Sequence, residues 1–525
     1  MRWLGALALL GACGGSGHAP TADAGPVSLV LDIPNGPLDP QGYTSVEIVL
    51  HEPAGDVTRT ASVDSNGNFD LDRIDPSNSV SVEATLRNAS GAAVGYGRTA
   101  VSSALAAGAQ ITVPVRRPIA YIAGTGKKPT DNSPTVEPAT FSDLSSGAAL
   151  DGTAQVGTSA ALVVAAGPSL YAVAQAVDAN GALTGPAQIL PISTADHSMG
   201  SALQGSMTGA VIDGAGSDDG STLVIGTTTE LFAVDTASGA ARVLTDGSFA
   251  RVAVVVTGGG ELDAVAIKNR ASTTATPCAA TAELWWVPIT GGAAPHMVAT
   301  GGFADVAADR GHAYYVDACK GELGEVTAAA VQMLRTLPGT GPSASPPVGR
   351  PTALAVSSGQ AYIGVELPPV NATPATSSLL VASITDPGTG AARPLWTVAA
   401  QQVIQVTGLT EVQRLLGASA VVFNHLEVGA GGDYVALTTS AQFHGDEIAE
   451  AGFPDTTMDT EELWVFAAAT GGVVQRYRSW CSGSFLAGAG DFQQWQCAAA
   501  ASQSVPASGA LGHHVGSMTF LFGKK

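Results

Sequence analysis

The densest run of side chains able to hold a cation is HGDEIAEAGFPDTTMDTEE, residues 444 to 462, which carries Asp446, Glu447, Glu450, Asp455 and Asp459. Carboxylates crowded in this way repel one another unless a cation or solvent comes between them. Two readings are open: a site for calcium, the one cofactor this sequence offers a place for, or a solvated acidic loop between strands. Downstream, Trp480, Phe485, Phe492 and Trp495 bracket Cys481 and Cys497. Exposed rings of this kind stack on sugars or on a partner protein, whereas buried ones pack a crosslinked loop. None of the nine histidines stands in an HExxH or comparable zinc-ligand spacing, and the adjacent His513 and His514 would point to opposite faces of a strand. No GxSxG elbow, P-loop or dinucleotide fingerprint occurs, so no catalytic residue is assigned.

The first twelve residues read as an export leader. Arg2 supplies a basic start, Trp3 to Leu10 an apolar stretch too short to span a bilayer, and Gly11 and Ala12 the small residues before a cut. The end of this stretch, Leu10-Gly11-Ala12-Cys13, resembles the lipobox of bacterial lipoproteins. That resemblance implies removal of residues 1–12, a diacylglycerol on the Cys13 sulfur, acylation of the new amino terminus, and a flexible tether over 13–25. Each buried methylene contributes about 0.8 kcal/mol, so two or three acyl chains would hold the protein on a membrane effectively permanently. Gly14 is not the Asp that marks inner-membrane retention in enteric lipoproteins, which makes the outer membrane of a Gram-negative bacterium the expected address. Setting Cys13 aside leaves Cys278, Cys319, Cys481 and Cys497, an even set in an exported protein. Three pairings are open; neighbours in sequence give Cys278 with Cys319 and Cys481 with Cys497. A net charge of -21 repels phosphate backbones, so nucleic acid is excluded as a partner.

Low charge (13%), 64 glycines and 30 prolines suit short strands and turns rather than helices. Over residues 26–117, VSLVLDI, TSVEIVLHE, SVSVEATL and AQITVPV alternate apolar and polar positions, the period of half-buried strands. Within this region Gly67, Phe69, Leu71, Pro76 and the run Val80 to Thr85 resemble the Gly-x-Phe-x-Leu pattern of transthyretin-like sandwiches, the carboxypeptidase-regulatory and collagen-adhesin B-type domains. The resemblance implies a small β-sandwich serving as a stalk that holds the rest of the chain away from the membrane.

Residues 118–525 are too many for one small core and carry no helical period, which directs attention to repetition. Leu-led segments beginning at Ser169, Glu230, Glu283, Glu322, Ser378 and Glu462 share an aromatic or aliphatic alternation and recur about every 59 residues. Most lead into a glycine turn and a further strand, and pairs such as FADVAADRGHAYYVD precede several of them. Four antiparallel strands per unit resemble the blade of a β-propeller. The expected fold is therefore all-β: a small N-terminal sandwich, then a propeller of seven blades, with six or eight as alternatives. IAYIAGTG and GSMTFLFGKK would complete one blade from the two ends of the region. The function expected of such a chain is binding of a protein or glycan ligand at the cell envelope. The alternative is a propeller hydrolase or lyase acting on polysaccharide, which would need two carboxylates, or a histidine and a carboxylate, converging at the channel mouth.

Overall fold

The computed structural model describes residues 28–33, 40, 42–52, 55–63, 81–99, 110–123, 125–127, 134–136, 139–143, 153–154, 160–177, 183–194, 196, 198–203, 205–257, 260–270, 281–337, 349–367, 376–385, 392–399, 421–443, 458–483, 509–510 and 517–523.

The N-terminal part is built of two layers. One is an antiparallel sheet in the order Gly55–Ser62, Tyr43–Glu52, Ser81–Asn88, Ala93–Arg98; the other pairs Ser28–Asp32 with Gln110–Pro114 in parallel. Period-two alternation sends Val46, Ile48, Val82 and Leu86 from the first layer, and Leu29 and Val113 from the second, into one core. The strand Ala93–Arg98 passes so close to the second layer that a Cβ on Gly97 would stand 1.9 Å from the Pro114 carbonyl oxygen. Tyr96 and Arg116 exchange both main-chain hydrogen bonds there, at 2.8 and 2.9 Å. Gly67, Phe69, Leu71 and Pro76 lie outside the described residues.

The described remainder of the chain is made of sheets that are antiparallel except where Val473–Gly483 pairs with Gly509–Ala510, most of them four-stranded. Their innermost strands are Ala160–Ala166, Val211–Gly216, Phe249–Val256, Phe303–Asp309, Arg350–Ser357, Val421–Gly429 and Ser517–Phe520. Each packs against the next, and the last against the first, in a closed, propeller-like circuit. The closing sheet draws on both ends of the region, because Ser517–Phe520 pairs antiparallel with Ile119–Ala123, which pairs in turn with Ala139–Asp143. Each inner strand remains an edge of its own sheet, and closure turns these edges towards the axis, where neighbouring sheets protect them.

Burial follows from this stacking. Strands near the axis have a sheet on either side and are apolar on both faces, as in Leu262–Lys268, whose first six residues are all buried. Outermost strands such as Ala241–Asp246 and Val331–Thr336 are largely exposed. Apolar cores fill the spaces between successive sheets, for example Leu162, Val173, Leu223 and Phe232 in one, and Val265, Leu284, Val306 and Tyr315 in another. The abundance of Ala and Gly has a local cause: a Cβ on Gly216 would meet the Ala165 carbonyl oxygen at 2.2 Å, so neighbouring inner strands approach too closely for side chains at such points.

The Leu-led repeat is not uniform. The segments at Glu230, Glu283, Glu322, Ser378 and Glu462 fall in the third strand of their sheets, whereas Ser169–Val177 is a second strand. Second and third strands are both largely buried between neighbours, so an apolar pattern does not tell them apart.

Candidate functional site

Charged and polar residues punctuate the inner strands, and their first task is to hold the circuit together. At every junction a side chain of one sheet bonds to the main chain of the next inner strand. Ser517 Oγ accepts from Val163 N (3.2 Å), Gln175 Oε1 from Val211 N (3.0 Å) and Asp213 Oδ2 from Val252 N (2.9 Å). Arg270 Nε donates to Ala304 O (2.8 Å); Asp305 Oδ2 accepts from Leu354 N (2.9 Å) and Glu366 Oε1 from Phe423 N (3.0 Å). Glu427 Oε1 accepts from Phe520 N (2.9 Å), which completes the round. Inner strands that belong to different sheets have no ladder between them, so these side chains satisfy amides that would otherwise be buried without partners.

The two ends of the circuit differ. At one end, in the turns that follow the inner strands, lie Asp218, Arg310 and Asp433, and the N-terminal unit docks on all three. Arg87 Nη1 meets Asp433 Oδ2 at 2.5 Å, Arg310 Nη1 meets Asp56 Oδ2 at 2.7 Å, and Arg98 pairs with Asp218. Tyr96 enters the same core as Ile119, Tyr121 and Phe520, with its ring edge-on to Phe522 at 6.0 Å, and Tyr434 Oη donates to Ala93 O at 3.0 Å. Shared apolar burial and three ion pairs seat the unit directly on the circuit. His51 lies beside this seam, 2.7 Å from Asp56 and 3.3 Å from Glu83. Burial pulls its imidazole down, but Glu83 and Asp56 outweigh that and raise it above its ordinary value.

The opposite end, where inner strands begin and second strands finish, holds a compact polar group. Arg251 Nε faces Asp305 Oδ1 at 3.4 Å, and its Nη2 donates to Asn424 O at 3.3 Å, reaching a sheet three places further round. Arg270 Nη2 donates to Thr352 O at 2.8 Å, and Thr352 Oγ1 donates to Glu366 Oε1 at 2.9 Å. Burial, then the neighbouring charge of Arg251, lowers Arg270 to about 10, so it stays cationic at neutral pH. Burial raises Glu366 above the usual carboxylate value against the pull of its hydrogen bonds and of Arg270. Between the two ends the axis is narrow. The cavity lined by Val164, Asp213, Gly216, Ala253, His425 and Glu427 has about 70 Å³ open to water, room for a few solvent molecules and far short of a sugar-sized pocket.

The residues singled out from sequence stand apart from this group or beyond the described chain. Cys13, Cys278, Asp446, Glu447, Glu450, Asp455, Phe485, Phe492, Trp495 and Cys497 lie outside the described residues. Asp459 belongs to the strand Met458–Ala467, opposite Gln442 and Ser482, so the acidic run ends in a ladder and not in a loop. Trp480 and Cys481 are in Val473–Gly483, opposite Glu461 and Thr460. Cys319 is disulfide-bonded. Among the described residues no group of His, Cys, Asp and Glu is arranged to hold a metal ion. Sequence reasoning passed over Arg251, Arg270, Asp305, Thr352 and Glu366. A usable signal was present, since a lone charge interrupts an apolar run in FARVAVVV, FADVAA and YIGVEL.

No family model matches the chain, and no curated protein matches it. Among solved structures it is similar to the periplasmic gluconolactonase of Pseudomonas aeruginosa, at 13% identity and a TM-score of 0.38 over 70% of this chain and 99% of that one. It is also similar to a quinonprotein alcohol dehydrogenase-like protein from Bacteroides thetaiotaomicron, at 10% identity and a TM-score of 0.38 over 87% and 94% of the two chains. The WD40 repeats of RRP9 match at 11% identity and 0.34, over 60% and 78%. Similarities this distant say nothing about activity.

Proposed function

We propose that this chain is a lipid-anchored envelope protein in which Cys13 carries the lipid, residues 13–25 are a tether, 26–117 a small β-sandwich, and 118–525 a seven-bladed propeller that binds a protein or glycan. The observation that carries the reading is the inequality of the two ends: one is occupied by the N-terminal unit, while the other presents a buried polar group with Arg270 partly exposed. The blade count is supported by the seven inner strands in the circuit and by the isolated bridges Ala187 to Met207 and Ile192 to Met199, which add a fourth element to the three-stranded sheet. The anchor and the binding end are compatible in space. Ser28–Asp32 runs towards the circuit, with Asp32 O bonded to Val115 N and to Arg116, so Ser28 stands at the end of that strand away from the circuit. A chain anchored this way turns its polar mouth away from the bilayer.

The carboxylates favour binding over hydrolysis or lyase chemistry, because Asp213, Asp305, Glu366 and Glu427 each accept a main-chain N–H of the neighbouring sheet. Pairing of Cys278 with Cys319 fits the same frame. Cys319 follows the second strand of its sheet and is disulfide-bonded, and Cys278, outside the described residues, stands in sequence between Leu262–Lys268 and Ala282–Pro288, the second and third strands of the sheet before it. Labelling with a palmitate analogue tests the anchor: wild type is tagged and Cys13→Ser is not, and equal tagging removes that claim. Screening the chain from residue 26 onward against glycan arrays and purified envelope proteins tests the binding role, which falls if no saturable ligand emerges.

A further inference from the structure

We infer that the mouth contains a subsite for an acidic sugar residue, with the sugar carboxylate on Arg270 and a neighbouring sugar hydroxyl on Glu366. This deepens the binding role proposed above and rests on it. Arg270 is held in place by two main-chain acceptors from two different sheets, Ala304 O and Thr352 O, through Nε and Nη2. Its Nη1 has no hydrogen-bond partner among the described residues. Glu366, only 6% exposed, takes the donors Phe423 N and Thr352 Oγ1 both on Oε1, which leaves Oε2 without a partner among the described residues. Thr352 links the two, its carbonyl bonded to Arg270 and its hydroxyl to Glu366, yet Arg270 and Glu366 form no ion pair with each other.

An open guanidinium edge beside an open carboxyl oxygen selects a ligand that offers an acceptor and a donor on adjacent atoms. A uronate does so, with its carboxylate next to a ring hydroxyl. Inorganic phosphate at neutral pH offers mainly acceptors, and a neutral sugar gives Arg270 no charge to meet. Arg251 lies close enough for its charge to lower Arg270, while Asp305 is already engaged by Val306 N, Leu354 N and Arg251. The local field at the open edge is thus less negative than the whole-chain charge of -21 implies.

Calorimetric titration of the full chain with galacturonate and glucuronate oligosaccharides, glucose oligosaccharides and a glutamate-rich peptide tests the subsite. The expected result is saturable binding of a uronate oligosaccharide. Arg270→Met is expected to weaken it about tenfold or more, and Glu366→Gln to weaken it because the open position then can carry a donor in place of an acceptor. Arg270→Lys keeps the charge without the fork and is expected to fall between, which decides the matter if Arg270→Met fails to fold. Equal affinity for glucose oligosaccharides, or uronate binding unchanged in both Arg270→Lys and Glu366→Gln, overturns the subsite and leaves the broader binding role standing. Tighter binding of the peptide than of any oligosaccharide overturns the glycan assignment. Absence of oligosaccharide binding overturns the subsite as well, and the binding role falls with it only if the envelope-protein screen is also empty.

Discussion

Replacing Glu427 by alanine probes the bond that joins the two ends of the circuit. Its Oε1 accepts from Phe520 N at 2.9 Å and from Thr519 Oγ1 at 3.0 Å, both in the strand that closes the ring. Glu427 is 7% exposed and Phe520 fully buried, so once the carboxylate is gone the Phe520 amide stays buried and only the narrow axial cavity that Thr519 lines offers water. Each orphaned donor costs about 1–3 kcal/mol. Removing a buried carboxylate returns part of its desolvation cost, which leaves a net loss of about 2–4 kcal/mol. Glu427→Gln keeps a carbonyl oxygen at that position and is expected to lose about 1 kcal/mol. A chain of several units does not unfold in one step, so local hydrogen exchange is a sounder readout than a global midpoint. At about 1.4 kcal/mol per tenfold, Glu427→Ala should speed exchange of the Ser517–Phe520 and Ile119–Ala123 amides by about 30- to 700-fold. Leu262–Lys268, on the far side of the ring, should be unaffected. Unchanged exchange in Ser517–Phe520, or acceleration spread evenly over the chain, would show that closure does not depend on this latch.

Tyr96→Ala should cost about 3–5 kcal/mol, because it empties the contact between the N-terminal unit and Phe522, and should make the strand Ala93–Arg98 more accessible to protease. Docking of that unit should also depend on pH. His51 is raised from 6.5, so its contribution is complete below that value and fades as pH climbs through the folded one; Asp56 is lowered, through His51 and Arg310 against the effect of burial, so its contribution is lost only in stronger acid. Protease resistance of the seam should therefore peak between about pH 4 and 6.5, and His51→Gln should flatten the alkaline side. Peptide mapping without reductant should recover Cys278 joined to Cys319; Cys319 joined to Cys481 or Cys497 would overturn the pairing.

Strands were legible because burial on one or two faces leaves a period in the sequence. VSLVLDI and TSVEIVLHE alternate, and both are strands, Ser28–Asp32 and Tyr43–Glu52. The meeting of the chain ends was legible for a similar reason, since IAYIA and SMTF are apolar runs with no other partner in prospect, and they pair. The polar group at the mouth was not. Its members lie on three different sheets, in Phe249–Val256 and just after Leu262–Lys268, in Phe303–Asp309, and in Arg350–Ser357 and Gln360–Leu367, and no spacing along the chain relates residues brought together by closure of a ring. Clusters that are dense in sequence, such as the acidic run at 444 to 462, drew attention instead, although Asp459 ends up in a ladder.

The same chemistry serves opposite purposes at the two ends. At the docked end, Arg87, Arg98 and Arg310 each meet a carboxylate across the seam, and the side chains of Asp56 and Asp433 remain 44% and 30% exposed, so salt and pH reach these pairs. At the mouth, Arg270 and Glu366 bond to main chain and hydroxyl groups and not to each other, inside a frame of buried inner strands. An ion pair between them would have consumed the donor and the acceptor together. Holding each by main-chain groups fixes its position while one edge of the guanidinium and one carboxyl oxygen stay open, and that separation is what gives an external ligand something to complete.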